Sequence, residues 1–69
     1  MVLSDVKRGG VYHVRSLDGG NDTMRHLEDL GFLPGQSVSV VSRIAGNLIV
    51  NVKGSRVALS KELARSIIV

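Results

Sequence analysis

Three side chains in the first half of the chain have a spacing that could support metal chemistry. Asp22, His26 and Asp29 recur at intervals of four and three residues, which places them on one face if the segment is a helix. Carboxylates and imidazole together are ligands of divalent transition metals. The same residue types also make up an ordinary solvated helix face, so we assign no metal ligand here.

No other residues form a pattern typical of catalysis or of cofactor binding. The sequence has no cysteine, which excludes thiolate metal sites and disulfides and is compatible with a cytoplasmic location. No serine lies in a Gly-x-Ser-x-Gly elbow. Gly19 and Gly20 are not followed by the lysine and serine or threonine of a phosphate loop. The sequence therefore predicts a protein that is not an enzyme and that carries no cofactor.

A single strong helix pattern spans the possible metal ligands. Met24, Leu27 and Leu30 repeat at three-residue spacing and predict a buried flank. Asn21 and Asp22 precede this repeat, and their side chains are of the types that cap first-turn amides. We therefore expect the helix to begin near these two residues and to end at Leu30.

The residues that follow predict a sharp reversal of the chain. Gly31 suits the left-handed conformation of a Schellman stop, with Phe32 packing back on the helix. Leu33 begins a type II turn in which Pro34 fixes the second position and Gly35 takes positive φ at the third. The chain should then enter a new strand.

The rest of the chain predicts strands and single helical turns. In the segment 37–44, Val38, Val40 and Ile44 predict one buried face, although Val41 breaks the alternation. Ser4 and Ser60 are placed to cap one-turn helices. Strands are predicted at Val11–Leu17, with both faces partly covered, and at Ser37–Ile44, Leu48–Lys53, Arg56–Leu59 and Ser66–Val69, the last of which must pair to protect its apolar residues.

These elements predict one domain over residues 1–69, mostly β in content. About five strands with one α-helix between the first and second fit a small SH3-like barrel. An OB-fold is the alternative, but it places its helix between the third and fourth strands. Neither a membrane-spanning run nor a signal peptide is recognisable in the sequence.

The charge of the chain is +3 and lies in its second half, with −1 over residues 1–34 and +4 over residues 35–69. A basic barrel that binds nucleic acid usually adds aromatic platforms on which bases stack. Tyr12 and Phe32 are the only aromatic residues. A nucleic-acid-binding small barrel therefore remains the alternative, and a module that binds another protein is favoured.

The segment Leu27–Gly35 resembles the FeoA family, whose members share a Leu-x-x-Leu-Gly-apolar-x-Pro-Gly core. The similarity extends from Leu3 to Ile67 and departs at Leu48, where many members have proline. It implies an SH3-like barrel that serves bacterial or archaeal ferrous iron uptake as a cytoplasmic accessory protein. It also implies a partner, the FeoB-type membrane ferrous iron transporter with its cytoplasmic GTPase domain. The same domain forms the C-terminal interaction domain of iron-dependent repressors, so an excised domain of that kind is a further alternative.

The predicted partner-binding surface lies at the junction of the helix and the proline turn. Phe32 and Leu33 adjoin on a tight bend where at most one of them can point inward. The partner-binding residues are predicted to be Met24, Arg25, Glu28, Phe32 and Leu33, with Arg43, Lys53 and Arg56 as the second choice.

Overall fold

Six short strands in two antiparallel sheets form the framework of the fold, and the computed structural model describes all of residues 1–69. The elements are a 3₁₀ turn at Leu3–Asp5, β1 (Val11–His13), β2 (Ser16–Leu17), α1 (Asn21–Asp29), β3 (Ser37–Ile44), β4 (Asn47–Val52), β5 (Ser55–Leu59), α2 (Lys61–Arg65) and β6 (Ile67–Ile68). The larger sheet has the order β1-β3-β4-β5, and the smaller one pairs β2 with β6. The predicted pairing of the C-terminal segment is thereby confirmed.

The prediction of one continuous strand over Val11–Leu17 was wrong, because the segment divides between the two sheets. The amide of Val14 still donates into the larger sheet, to the carbonyl that precedes β3, at 2.9 Å. The next amide, that of Arg15, donates to the carbonyl of Ile68 in β6 at 2.7 Å. The chain thus turns a corner between the sheets, and Val11 is 64% exposed instead of covered.

A β-bulge in β3 reverses the side-chain alternation at the end of this strand. The register against β4 shifts between Val40 and Ser42, so Val41 is the extra residue that a bulge inserts. Beyond it the inward and outward positions exchange, and Ile44 is 61% exposed. The prediction that Ile44 belongs to the buried face was therefore wrong.

The start of α1 also differs from the prediction. The amide of Met24 donates to the carbonyl of Gly20 at 2.9 Å, so Gly20 is the N-cap residue and has no side chain with which to cap. Asn21 and Asp22 already lie inside the first helical turn and are not caps.

The two serines predicted as caps have different outcomes. Ser4 lies within the 3₁₀ turn, whose first amides have no side-chain partner. Ser60 is confirmed as the cap of α2, since its Oγ accepts a hydrogen bond from the amide of Leu63 at 3.3 Å.

One apolar core, aliphatic except for Phe32, fills the space between the sheets and the helices. In β4 the alternation is complete, because Leu48, Val50 and Val52 are all buried. The core consists of Leu3, Val6, Val14, Leu27, Phe32, Val38, Val40, Leu48, Val50, Val52, Leu59, Ala64 and Ile67. Neither helix is both long and apolar enough to cross a membrane.

Candidate functional site

The C-terminal end of α1 is fixed by a Schellman motif. The amide of Gly31, at φ +105°, donates to the carbonyl of Glu28, and the amide of Phe32 donates to the carbonyl of Leu27, both at 3.0 Å. These are the two hydrogen bonds that define the motif. The predicted helix stop is confirmed, and Phe32 leaves the helix in a defined direction.

The proline turn follows immediately and is bonded to the sheet. The amide of Gln36 donates to the carbonyl of Leu33 at 2.9 Å, and Gly35 has a φ of +89°, as the predicted type II turn requires. The amide of Gly35 also donates to the carbonyl of Val14 at 2.7 Å. Helix stop and turn therefore form a rigid bend held against the sheet.

This bend sends two adjacent apolar side chains in opposite directions. Phe32 is fully buried and belongs to the core, whereas Leu33 is 39% exposed. Phe32 faces inward because the Schellman motif returns its backbone toward Leu27, which is buried with it. Phe32 is thus unable to contact a partner in this structure, and we remove it from the predicted partner-binding surface. Leu33 is the exposed apolar residue of the bend.

The other predicted partner-binding residues lie on α1 beside the bend. Met24 is half-buried, and Arg25 and Glu28 are exposed. We refer to Met24, Arg25, Glu28 and Leu33 as the helix-and-turn edge. It combines an exposed apolar side chain with an exposed cation and an exposed anion on α1, and protein interfaces commonly have an apolar centre and a polar rim.

The possible metal ligands on α1 do not converge. Asp22, His26 and Asp29 are all exposed on the helix surface. No group of three or more histidine, aspartate or glutamate side chains in the protein is close enough to hold a metal ion.

The basic residues considered as the second choice lie far apart. Arg43 lies opposite Leu48, at the start of β4, and Lys53 follows the end of the same strand. A strand rises by about 3.3 Å per residue, which separates the two backbones by roughly 17 Å. Arg43 thus lies at one end of the barrel, and Arg56 lies with Lys53 at the other, so they do not form one basic edge.

Arg43 acquires a structural role that the sequence analysis missed. The bulge brings it opposite a buried leucine, and its guanidinium Nη2 donates a hydrogen bond to the backbone carbonyl of Val6. The only signal in the sequence is the adjacent pair Val40 and Val41, which interrupts the alternation.

Two short antiparallel sheets around an aliphatic core, with one main helix, define the protein as a small SH3-like barrel domain. The comparisons with solved structures agree. The crystal structure of FeoA from Stenotrophomonas maltophilia, a procaryotic SH3 domain protein complexed with zinc, superposes with a TM-score of 0.88 at 30% identity, covering 99% of this chain and 87% of that one. A family model for the FeoA domain matches residues 1–69, and the chain belongs to this family.

Two further relatives extend the comparison. A protein of Methanocaldococcus jannaschii that carries the name "Putative Fe(2+) transport protein A" is 31% identical over 67 residues, which are 97% of this chain and 82% of that protein. A manganese-dependent transcriptional repressor has the same fold, with a TM-score of 0.88 at 20% identity, and this chain spans only 39% of its length. The fold therefore occurs both in small FeoA proteins and as part of a longer repressor.

Proposed function

We propose that this FeoA-family protein is a cytoplasmic accessory protein of ferrous iron uptake. In this proposal it acts by binding the cytoplasmic part of a FeoB-type membrane iron transporter and catalyses no reaction. The family match over the whole chain and the relative named for Fe(2+) transport support the link to iron uptake. The observation that carries the binding proposal is the outward orientation of Leu33 on a rigid bend.

The rigidity of this bend favours it as a docking point. Binding is weaker when loops and side chains must become ordered on association, because their conformational entropy is lost. A surface that is already ordered loses less of this entropy. Hydrogen bonds already fix the backbone on both sides of Leu33, at the Schellman stop and at the type II turn. We infer that Leu33 inserts into an apolar pocket of the transporter.

The exposed charges of α1 would give this apolar contact specificity. Arg25 and Glu28 are exposed on the adjacent turn of α1, and charges at the rim of an interface mainly set the association rate and exclude wrong partners. Met24, half-buried beside them, has a flexible side chain that adapts to an irregular partner surface.

The experiment measures binding of the purified chain to the purified cytoplasmic part of the FeoB-type transporter from the same organism. Truncation by Leu33→Ala should weaken the affinity by about tenfold, as expected for a central contact of an interface. The double substitution Arg25→Glu with Glu28→Lys should also weaken it, although it leaves the net charge unchanged. Ile44→Ala is the matched control, because Ile44 is an exposed aliphatic residue at the far end of β3.

The outcomes separate the partner from the surface. If the unmodified chain does not bind the transporter, the proposed function is wrong. If it binds and the folded Leu33 and charge-exchange variants bind equally well, the partner is right and the helix-and-turn edge is not the contact.

The fold shared with the manganese-dependent repressor supports a second candidate, an interaction domain of an iron-dependent repressor. The two candidates predict different partners for the same barrel. A repressor domain would bind the metal-sensing or DNA-binding domain of its own protein, whereas the accessory protein binds the transporter. A binding assay that offers the chain both partners distinguishes the candidates by which of the two partners the chain binds.

A further inference from the structure

A small cavity lies at the end of the barrel where Arg43 is held. Its volume is about 110 Å³, and it is lined by Ser4, Arg43, Gly46, Leu48, Lys61 and Ala64. The 3₁₀ turn, the connection between β3 and β4, and α2 thus each contribute to its wall. Leu48 and Ala64 are buried and form an apolar floor, so the polar groups lie around the opening.

The charged residues that line this cavity have one sign. Arg43 and Lys61 line the cavity, and no carboxylate does. The hydroxyl of Ser4 adds a further hydrogen-bond donor, since it also belongs to the wall. Two cations and a hydroxyl around one concavity are suited to an anionic group.

Arg43 is positioned before any ligand arrives. Its Nη2 donates to the carbonyl of Val6, 37 residues away in the sequence. A guanidinium carries five N–H donors in a planar fork, so this bond leaves most of them free. A cation held in this way loses less conformational entropy on binding than a free side chain does.

We propose that this cavity binds a phosphate group. A phosphate monoester carries about −1.5 to −2 charges at neutral pH, which two cations neutralise, whereas a carboxylate would leave one cation unbalanced. The cavity volume accommodates one phosphate group.

The phosphate site is independent of the helix-and-turn edge. The proline turn precedes the first residue of β3, and the cavity adjoins the turn after its last residue. Because a strand rises by about 3.3 Å per residue, roughly 23 Å separate the two ends of β3. Binding at one place therefore leaves the other accessible.

The test is a titration of the ¹⁵N-labelled chain with sodium phosphate, with the ionic strength held constant by sodium chloride. We expect saturable changes in amide chemical shift confined to the cavity wall, including Ser4, Gly46 and Lys61. Lys61→Gln should weaken the affinity by about tenfold, the loss expected for one hydrogen bond between charged groups. Lys53→Gln is the matched control, because it makes the same change in charge at the opposite end of β4 and should leave the affinity unchanged.

Two further arms define the ligand. Sodium acetate at the same ionic strength should bind more weakly than phosphate; equal or tighter binding of acetate would overturn the assignment to a phosphate group. Glycerol 3-phosphate distinguishes an ester from the free ion, and binding of either one supports the site. Shifts that do not saturate, or an equal effect of Lys61→Gln and Lys53→Gln, would show that phosphate meets only a general positive surface.

A variant of Arg43 provides a second check. Arg43→Gln should also weaken phosphate binding by about tenfold, but it removes the bond to Val6 and so needs a melting curve beside it. If this variant unfolds, the folded Lys61→Gln variant decides the outcome, because Lys61 is exposed and forms no side-chain hydrogen bond within the chain.

Discussion

Gly31→Ala should destabilise the protein through the backbone of the helix stop. The φ of Gly31 is +105°, and placing an L-residue in the left-handed region costs about 1–2 kcal/mol. An added Cβ would also lie 3.2 Å from Cδ of Lys53. This atom belongs to a flexible side chain that can move aside, so the backbone cost should dominate.

The expected effect is large compared with the stability of so small a domain. At about 0.05–0.15 kcal/mol per residue, the free energy of unfolding of a chain of this length is roughly 3–10 kcal/mol. A loss of 1 kcal/mol lowers the melting temperature of a domain of this size by about 4–8 °C. We therefore expect Gly31→Ala to melt at least about 4 °C below the unmodified chain in thermal denaturation and to unfold at a lower urea concentration.

Three variants separate the backbone cost from the contact. Gly35 has a φ of +89°, and no atom lies within 4 Å of a Cβ added there. Gly35→Ala should therefore show the backbone cost alone. Gly20→Ala adds a Cβ at an ordinary φ, −69°, again with free space around it; because Gly20 is the N-cap of α1, where alanine is less favourable than glycine, a loss of up to about 1 kcal/mol is expected from the cap alone. Gly31→Ala should remain destabilising in a Lys53→Ala background.

Two results would refute this reasoning. Unchanged melting of both Gly31→Ala and Gly35→Ala would mean that the helix stop and the turn do not need positive φ. Full rescue of Gly31→Ala by Lys53→Ala would show that the cost is the contact with the lysine side chain and not the backbone conformation.

Three more predictions concern individual residues. Phe32→Ala should lower the free energy of unfolding by about 3–5 kcal/mol, because it leaves a cavity in the core. Leu33→Ala should change it by less than about 1 kcal/mol, and urea denaturation of the two variants checks which residue lies in the core. Ala45→Asn should raise the melting temperature, because Ala45 has a φ of +52° in the turn before Gly46 and Asn-Gly is favoured in such hairpin turns; a lower melting temperature would contradict this. Anaerobic titration with Fe²⁺ should reveal no saturable site that depends on His26, and a site lost in His26→Ala would restore the metal hypothesis.

The predictions from sequence that held rest on local rules. Gly31 and the pair Pro34 and Gly35 predict positive φ at defined positions, because few other residues adopt these conformations. The alternation in β4 predicts its buried face, since a regular strand has a period of two. Similarly, Ser60 predicts the start of α2, because a serine cap satisfies an amide three residues ahead.

Contacts between distant segments decided the remaining features. Asn21 and Gly20 both precede the helical repeat, and only the path of the preceding loop determines which becomes the cap. The corner after Val14 exists because β6, more than fifty residues later in the sequence, accepts the amide of Arg15. No local rule in the segment 11–17 contains that partner.

The same distinction applies to the two proposed sites. The sequence predicted that only one of Phe32 and Leu33 points inward. Which of the two is buried depends on the space available in the core, and the structure shows that it is Phe32. The phosphate site has no sequence motif at all. Its two cations lie 18 positions apart and share one cavity, because α2 packs against β4 and the bulge at Val41 places Arg43 opposite Leu48 of that strand.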